Sequence, residues 1–512
     1  MTLQMIFVAI VVVASIYSLI KNNMRQGLVL FSAAAMLYVG GVISADELLM
    51  GFSNRGVITI AMLFLVSEGV KRTNAIGGVL RSVFPKTAAK SNRLLIRLLP
   101  SVAAISSMIN NTPVVIIVAP LVKNWARKLH VPASKFLIPL SYATILGGMC
   151  SLIGSSTNLV VHGMMLKEGY AGFSMYELGR VGIFIAVVGL LYLLLFSKYL
   201  LPENNNVSTE EELEGANYIQ VVTSPRFPAN NKRVADFDFK RRFGATLCAI
   251  KRNGEILQGD LNDVVYQKND TLIIDGDESF VQSWGSSSFF VLLIDGKDHE
   301  PTNKNKWLAI SLLIFMCGGV LVGEHPVVRE ALPNVRLDMF FFAVITTIIM
   351  AWAQLFPSKR YTKYISWDLL ITIASAFAIS QAMQNSGIVD LVVANIISIG
   401  TDGTANPYVL LAVLFLVTNL FTELITNNAA AALAFPIAIS MTSQLGLNPM
   451  PFFVTICIAA SSSFCTPIGY QTNLIVQSIG RYKYLDFVRI GLPLNIITFI
   501  LSIILIPLIW PF

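Results

Sequence analysis

The sequence predicts an all-α polytopic membrane protein made of two inverted repeats, each of five spans plus one re-entrant hairpin. A small α+β cytoplasmic domain is inserted between them. Three observations predict this. Apolar residues make up 54% of the 512-residue chain and charged residues only 13%, whereas a soluble fold carries roughly 25% charge. The charge is also segregated: residues 201–306 hold 12 Lys/Arg and 17 Asp/Glu, leaving 25 basic and 13 acidic groups for all the rest. Finally, short blocks of sequence recur at a nearly constant offset of 313–316 residues. The formal charge of +7 therefore reads as membrane topology, and no basic soluble face exists for a nucleic acid.

Apolar stretches long enough to span (about 17–25 residues) fall at 2–20, 27–44, 56–70, 136–161, 178–200, 307–323, 338–356, 366–385, 451–478 and 487–510. Residues 2–20 lack a basic leader and a small-residue cleavage site, so they read as a span and not a signal peptide. Stretches 94–122 and 406–440 exceed one span and carry Asn, Thr and Pro in the middle. The first is flanked on both sides by basic residues, from Lys71 to Arg97 and from Lys123 to Lys135. Basic short loops stay cytoplasmic, so 94–122 enters and returns. The second has no Lys or Arg from 387 to 450 and dips in from outside. This threading puts 18 basic residues in cytoplasmic loops and five outside, with both termini outside. The units are then repeat 1 (1–200), the insert (201–306) and repeat 2 (307–512). Five is odd, so the second half must be inserted upside down.

The repeat is legible in the residues. Cys150 to Val161 matches Cys465 to Val476 at an offset of 315, Asn110-Asn111-Thr112 meets Thr426-Asn427-Asn428 at 316, and Ser67 meets Ser380 at 313. Inverted repeats with interrupted helices belong to secondary transporters, with the site near the mid-membrane. Irregular backbone at that depth survives only inside protein or beside water. Freed carbonyls with neutral Asn, Ser and Thr oxygens suit a hard monovalent cation such as sodium, and freed N–H groups suit an anion. The breaks at Gly154 and Gly469, each followed by Thr-Asn (Thr157-Asn158 and Thr472-Asn473), add a second unwound helix per half.

Each motif has a plainer reading. An isolated Asn-Thr in a membrane helix is more often a packing hydrogen bond than a ligand; a re-entrant tip repeated by internal symmetry favours the ligand. Glu68 and Glu423 are acids at membrane depth, which default to function. Glu68 precedes Lys71-Arg72 and fits an interfacial cap equally well, while Glu423 either carries protons or holds its tip. His162 reads as interfacial. The five cysteines form no CxxC, and no nucleophile elbow, HExxH or Walker motif occurs, so neither a zinc site, a cofactor nor an enzyme is expected.

At these residues the chain resembles the divalent anion:sodium symporter family, whose members carry Ser-Asn-Thr on each hairpin tip. Only the central Asn is kept in both tips here, and Leu152 stands where dicarboxylate members have a small residue. The resemblance implies a first sodium site of Ser106, Asn110, Asn111 and the backbone near Cys150, and a second of Thr422, Thr426, Asn427 and the backbone near Cys465. It implies anion contacts at Asn111, Thr112, Ser151, Asn427, Asn428, Thr466 and Pro467. Sulfate is the first choice of anion and a C4-dicarboxylate the second. The resemblance also implies a homodimer and elevator-type alternating access; the single insert and the lack of a targeting peptide suit a bacterial inner membrane.

Strand-like alternation at 219–222, 245–250 and 270–274 marks the insert from Tyr218 to about Ile294. The run from Arg242 to Ile256 resembles the TrkA-C (RCK C-terminal) module, which implies a small-molecule or nucleotide ligand; Asn269-Asp270 replaces its usual Gly-Asp. A spacer or dimer contact is the plainer alternative. Two rival functions stand beside the symporter: an arsenite or Na⁺/H⁺ antiporter relative, and a membrane anion sensor signalling through the insert.

Overall fold

The computed structural model describes residues 2–21, 24–73, 91–129, 131–203, 218–224, 226–252, 255–257, 260–275, 280, 283–284, 287, 289–293, 305–323, 325–331, 337–391, 393–394 and 406–512. The acidic run Glu210 to Glu214 lies outside them. The first half runs α1 (Leu3–Lys21), α2 (Gln26–Val39), α3 (Ala45–Met50), α4 (Arg55–Arg72), α5 (Ser91–Ser106), α6 (Asn111–Lys128), α7 (Leu137–Gly148), α8 (Ser156–Lys167) and α9 (Gly179–Leu200). The insert holds β1 (Tyr218–Thr223), α10 (Phe239–Phe243), β2 (Thr246–Arg252), β3 (Glu255–Ile256), β4 (Thr271–Asp275) and β5 (Phe290–Leu293). The second half runs α11 (Lys306–Gly323), α12 (Pro326–Ala331), α13 (Met339–Trp352), α14 (Trp367–Asn385), α15 (Pro407–Leu424), α16 (Asn427–Leu445), α17 (Met450–Ser461), α18 (Gln471–Gly480) and α19 (Tyr484–Ile509).

Six of these segments are long and apolar enough to cross a membrane. The two long polar-centred stretches fold as helix pairs, α5–α6 and α15–α16, which turn at Ser107–Asn110 and at Ile425–Thr426. The expected spans 136–161 and 451–478 are each broken, between α7 and α8 and between α17 and α18. All twelve residues of α7 are buried, and α17 is buried from Pro451 to Ser461. A helix apolar on every side belongs in the core of a bundle, and these two form the floor on which the hairpins rest.

The packing exchanges partners between halves. Helix α2 lies against α14, and α4 against α13. Hairpin arm α5 packs on α7 as arm α15 packs on α17, and α9 pairs with α19. Hydrogen bonds recur at the sequence offset. Asn158 Nδ2 donates to the carbonyls of Gly148 at 3.3 Å and Ser151 at 2.8 Å. Asn473 Nδ2 donates to those of Ser463 at 2.9 Å and Thr466 at 3.1 Å. The Gly154 N–H reaches Ser151 Oγ at 3.0 Å, and the Gly469 N–H reaches Thr466 Oγ1 at 3.2 Å.

The insert is an antiparallel sheet in the order β3-β2-β4-β1-β5. Three strands were legible as alternation; β3 and β5 were not. Its core is aromatic, with Phe227 within about 6 Å of Phe237, Phe243, Tyr266 and Phe290. Asn269 has φ of 68°, the left-handed region that Asn tolerates where glycine is usual. That turn delivers Asp270, whose buried carboxylate takes two 2.8 Å hydrogen bonds from Arg252 and one of 2.8 Å from the Gln267 N–H. The pairing raises the Arg252 pKa above its ordinary value.

Arg252→Met strands this carboxylate in the core, which costs about 3 kcal/mol. Amide hydrogen exchange should then speed up in β2 and β4 while the membrane helices stay protected. Unchanged exchange would show that the pair does not hold the sheet.

Candidate functional site

Eight helix ends converge where the hairpins meet the breaks. Helices α5, α7, α15 and α17 end there, and α6, α8, α16 and α18 begin there. Four C-termini leave unsatisfied carbonyls and four N-termini leave unsatisfied N–H groups. Such a locus carries partial charges of both signs without any ionised side chain.

The turns are held by amide and hydroxyl side chains. Asn111, fully buried, is the centre of the first tip. Its nitrogen lies 2.5 Å from Ser106 Oγ and donates to the carbonyls of Thr144 at 2.8 Å and Gly154 at 3.2 Å. Its oxygen accepts from the Tyr470 hydroxyl at 2.6 Å. The carboxamide fits because Gly148 has no side chain: a Cβ there would stand 2.4 Å from it. The breaks approach the tips closely for the same reason, since a Cβ on Gly154 would lie 2.7 Å from the Ser106 carbonyl and one on Gly469 2.4 Å from that of Thr422.

Each tip faces the other half's break. Thr112 Oγ1 lies 3.4 Å from Gln471 Oε1. Asn428 Oδ1 accepts from Ser156 Oγ at 3.1 Å and Thr157 Oγ1 at 3.4 Å. Tyr470 joins the halves at the centre: its hydroxyl meets Asn111, lies 3.4 Å from Ser155 Oγ, and is reached by the Asn427 side chain. The repeat does not reveal Tyr470, because its counterpart at an offset of 315 is the much smaller Ser155; the motif Gly469-Tyr470-Gln471 is the available signal.

The other named residues sort as follows. Ser151 Oγ donates to the Ser107 carbonyl, and Thr466 Oγ1 to that of Glu423 at 3.1 Å. Both hydroxyls brace tip to break. Thr422 Oγ1 donates to the Ala460 carbonyl at 2.7 Å, and Pro467 is buried in the second break. Thr426 turns away from the junction, its hydroxyl 3.2 Å from Gln26 Oε1 at the start of α2. Thr472 and Asn473 share Ser141 of α7, at 2.9 and 2.7 Å. Cys150 stands apart from the first tip, since its carbonyl faces α9, 2.8 Å from where a Gly179 Cβ would be. Carbonyls that do reach that tip belong to Thr144 and Gly154. Cys465 offers its N–H, not its carbonyl, to Glu423.

The two tips differ in their surroundings. Asn110 lines a cavity between the first tip, α4, α8 and α11, bordered by Phe64, Ser67, Met108, Ser156 and Met316. Its empty volume, adjoining open space included, is about 490 Å³. The second tip instead meets Gln26 of α2 through Thr426, and α16 behind it packs on α14. Of the acids at depth, Glu68 pairs with Arg72 at 2.7 Å and Lys71 at 3.8 Å, the arrangement of a helix-end cap. His162 Nδ1 accepts the Phe173 N–H at 3.0 Å, a loop anchor.

Comparison with known proteins places this geometry. The model of the citrate transporter family (CitMHS) matches residues 9–456 and again 327–511. An uncharacterized transporter of Synechocystis (sll0640) is 29% identical over 93% of this chain and 92% of its own length. A probable sodium/sulfate cotransporter of Chlamydomonas reinhardtii is 23% identical over 89% of this chain and 83% of its own. Among solved structures, the YdaH transporter of Alcanivorax borkumensis superposes with a TM-score of 0.54 at 13% identity, covering 95% of this chain and 97% of that one. At that identity the likeness is one of fold.

Tyr470→Phe removes one hydroxyl and leaves the buried Asn111 oxygen without its donor, a cost of about 1–3 kcal/mol. The purified variant should melt at a lower temperature than the parent. An unchanged melting temperature would show that this hydroxyl does not tie the halves together.

Proposed function

On the premise that the chain belongs to the citrate transporter family, we propose that it is a secondary active transporter coupling inward sodium movement to uptake of a small divalent anion. Sulfate is the favoured anion and a C4-dicarboxylate the second. The observation that carries this reading is the meeting of four helix N-termini and four helix C-termini at one locus, without a basic side chain among the junction residues described above. Positive helix ends and hydroxyl donors suit an anion, and carbonyls with neutral oxygens suit sodium. The relative named as a sodium/sulfate cotransporter supports sulfate over citrate.

The first sodium cage in this reading is built from Ser106, Asn110, Asn111 and the carbonyls of Thr144 and Gly154. The second is built from Thr422, Asn427 and the backbone of the second break. Thr112, Asn428, Ser151 and Thr466 are placed to orient the anion between them. Repeats 1–200 and 307–512 are inverted in the membrane, as the odd span count requires. The matched bonds of Asn158 and Asn473 support the repeat. Alternating access is supported by the asymmetry of the tips, one beside a cavity and the other in contact with Gln26. We assign the protein to a bacterial inner membrane as an elevator-type homodimer, with termini outside. The insert is a cytoplasmic TrkA-C-like regulatory domain for a small molecule or nucleotide; its antiparallel sheet and the Asn269 turn support that.

Proteoliposomes should take up radiolabelled sulfate, and not succinate, when an inward sodium gradient is imposed. Uptake of succinate alone would reverse the order of substrates. Absence of both, in protein that still binds sodium, would move the assignment to an antiporter or a sensor. Asn427→Ala should raise the sodium concentration for half-maximal uptake on the order of tenfold. Normal sodium dependence in that variant would remove the second cage.

A further inference from the structure

Helix packing divides the membrane region into two sets. Helices α1–α4 and α11–α14 pack among themselves, and so do α5–α9 with α15–α19, the set that carries both hairpins and both breaks. The main packing across the division is α16 on α14 and α8 on α4. By the repeat, these contacts correspond to α6 on α4 and α18 on α14. Yet α6 touches α4 only slightly, and α18 has no comparable packing on α14. The division is therefore sealed at one end. Along α4, Asn54 and Gly56 are held against α8, whereas residues from Ile60 to Val70 border the cavity. In the proposed topology the sealed end is the outer one.

Two polar bridges close that end. At the first, α8 and α4 cross at glycines: a Cβ on Gly56 would stand 2.9 Å from Gly163 Cα. Asn54 Nδ2 donates to the Gly163 carbonyl at 3.0 Å. One turn further, the largely buried Lys167 Nζ donates to Gln381 Oε1 of α14 at 2.9 Å. Gln381 Nε2 donates to Asn385 Oδ1 at 2.9 Å, and Asn385 Nδ2 to Glu47 Oε1 of α3 at 3.2 Å. At the second, Asp390, just beyond α14, accepts from two residues of α16. These are Ser440 Oγ at 2.6 Å and Gln444 Nε2 at 3.0 Å.

The first bridge is built to part without stranding a charge. Separating a direct buried ion pair leaves two uncompensated charges. Here two neutral amides stand between Lys167 and Glu47. When they part, Lys167 keeps Glu168 of its own set, 3.9 Å away. Glu47 keeps the Ser44 N–H, at 2.7 Å, and Asn385. At the crossing, glycines let the backbones touch with no side chains interlocked.

We propose that the Lys167–Gln381 and Ser440–Asp390 bridges form a lock that holds this end shut and opens once in each transport cycle. It rests on the secondary-transporter reading. Release of the lock and closure of the cavity end are then the alternative arrangement of the same two sets.

The test labels one introduced cysteine. Ser440 is 7% exposed, so the thiol of Ser440→Cys meets a membrane-impermeant maleimide, added outside intact cells, only while the lock is open. Cells with the parent protein give the blank. Adding Lys167→Met keeps the apolar stem and removes the charge. Labelling should then speed up on the order of tenfold, the worth of one charged hydrogen bond. Equal rates with and without Lys167→Met overturn the lock. A second measurement covers a variant that fails to fold. In Asp390→Cys with Ser440→Cys, oxidation should stop uptake and a reductant should restore it. Uptake that continues with the disulfide formed overturns the lock and leaves the transporter reading standing. A parent protein that carries neither sulfate nor succinate overturns that reading and the lock with it.

Discussion

The structure depends on how it satisfies backbone that is not helical at membrane depth. Lipid offers no hydrogen bonds, so each interruption must be paid for inside the protein. Here the same device is used twice. One asparagine, a few residues past the break, folds its amide back onto the two carbonyls that the break exposes. Asn158 does so for Gly148 and Ser151, and Asn473 for Ser463 and Thr466. With those carbonyls held, the glycines at 154 and 469 can sit against the hairpins at distances no other residue permits. The tips then find the breaks of the opposite half, and the junction is assembled.

Much of this was legible in the sequence because it rests on local chemistry. Asn, Thr and Pro in the middle of an over-long apolar stretch can be accommodated only by a turn, as the pairs α5–α6 and α15–α16 show. Gly-x-x-Thr-Asn repeated in both halves gave the breaks. What was not legible depends on side chains meeting across hundreds of residues. Tyr470 reaches Asn111 over a separation of 359 residues, and no spacing rule links them. Backbone near Cys150 was expected at the first tip; the Gly154 carbonyl reaches it, while the Cys150 carbonyl itself faces α9, where Gly179 and Gly182 approach the first break closely. Thr426, matched to Asn110 by the repeat, points instead to Gln26.

These departures share a cause. The two halves have the same backbone plan but different neighbours, since α4 packs on α8 while α14 packs on α16. A position that faces a cavity in one half faces a helix in the other. Internal symmetry therefore locates the elements of the site with more certainty than it assigns individual oxygen atoms. The insert shows the same division: alternation marked three strands, while the edge strands β3 and β5 are too short or too apolar to show a period.

The distribution of charge follows from the same physics. Helix ends and hydroxyls give the junction partial charges of both signs without an ionised side chain, so the cost of desolvating one is avoided. Neutral oxygens at the tips likewise release a cation more easily than a carboxylate would, because only dipoles must be rehydrated. A single carboxylate breaks this economy, and it does so off the junction, behind a break, where α19 can shield it. Placed at a tip, it would repel the anion directly. Here the carboxylate accepts the Cys465 N–H, while the Glu423 backbone carbonyl accepts the Thr466 hydroxyl.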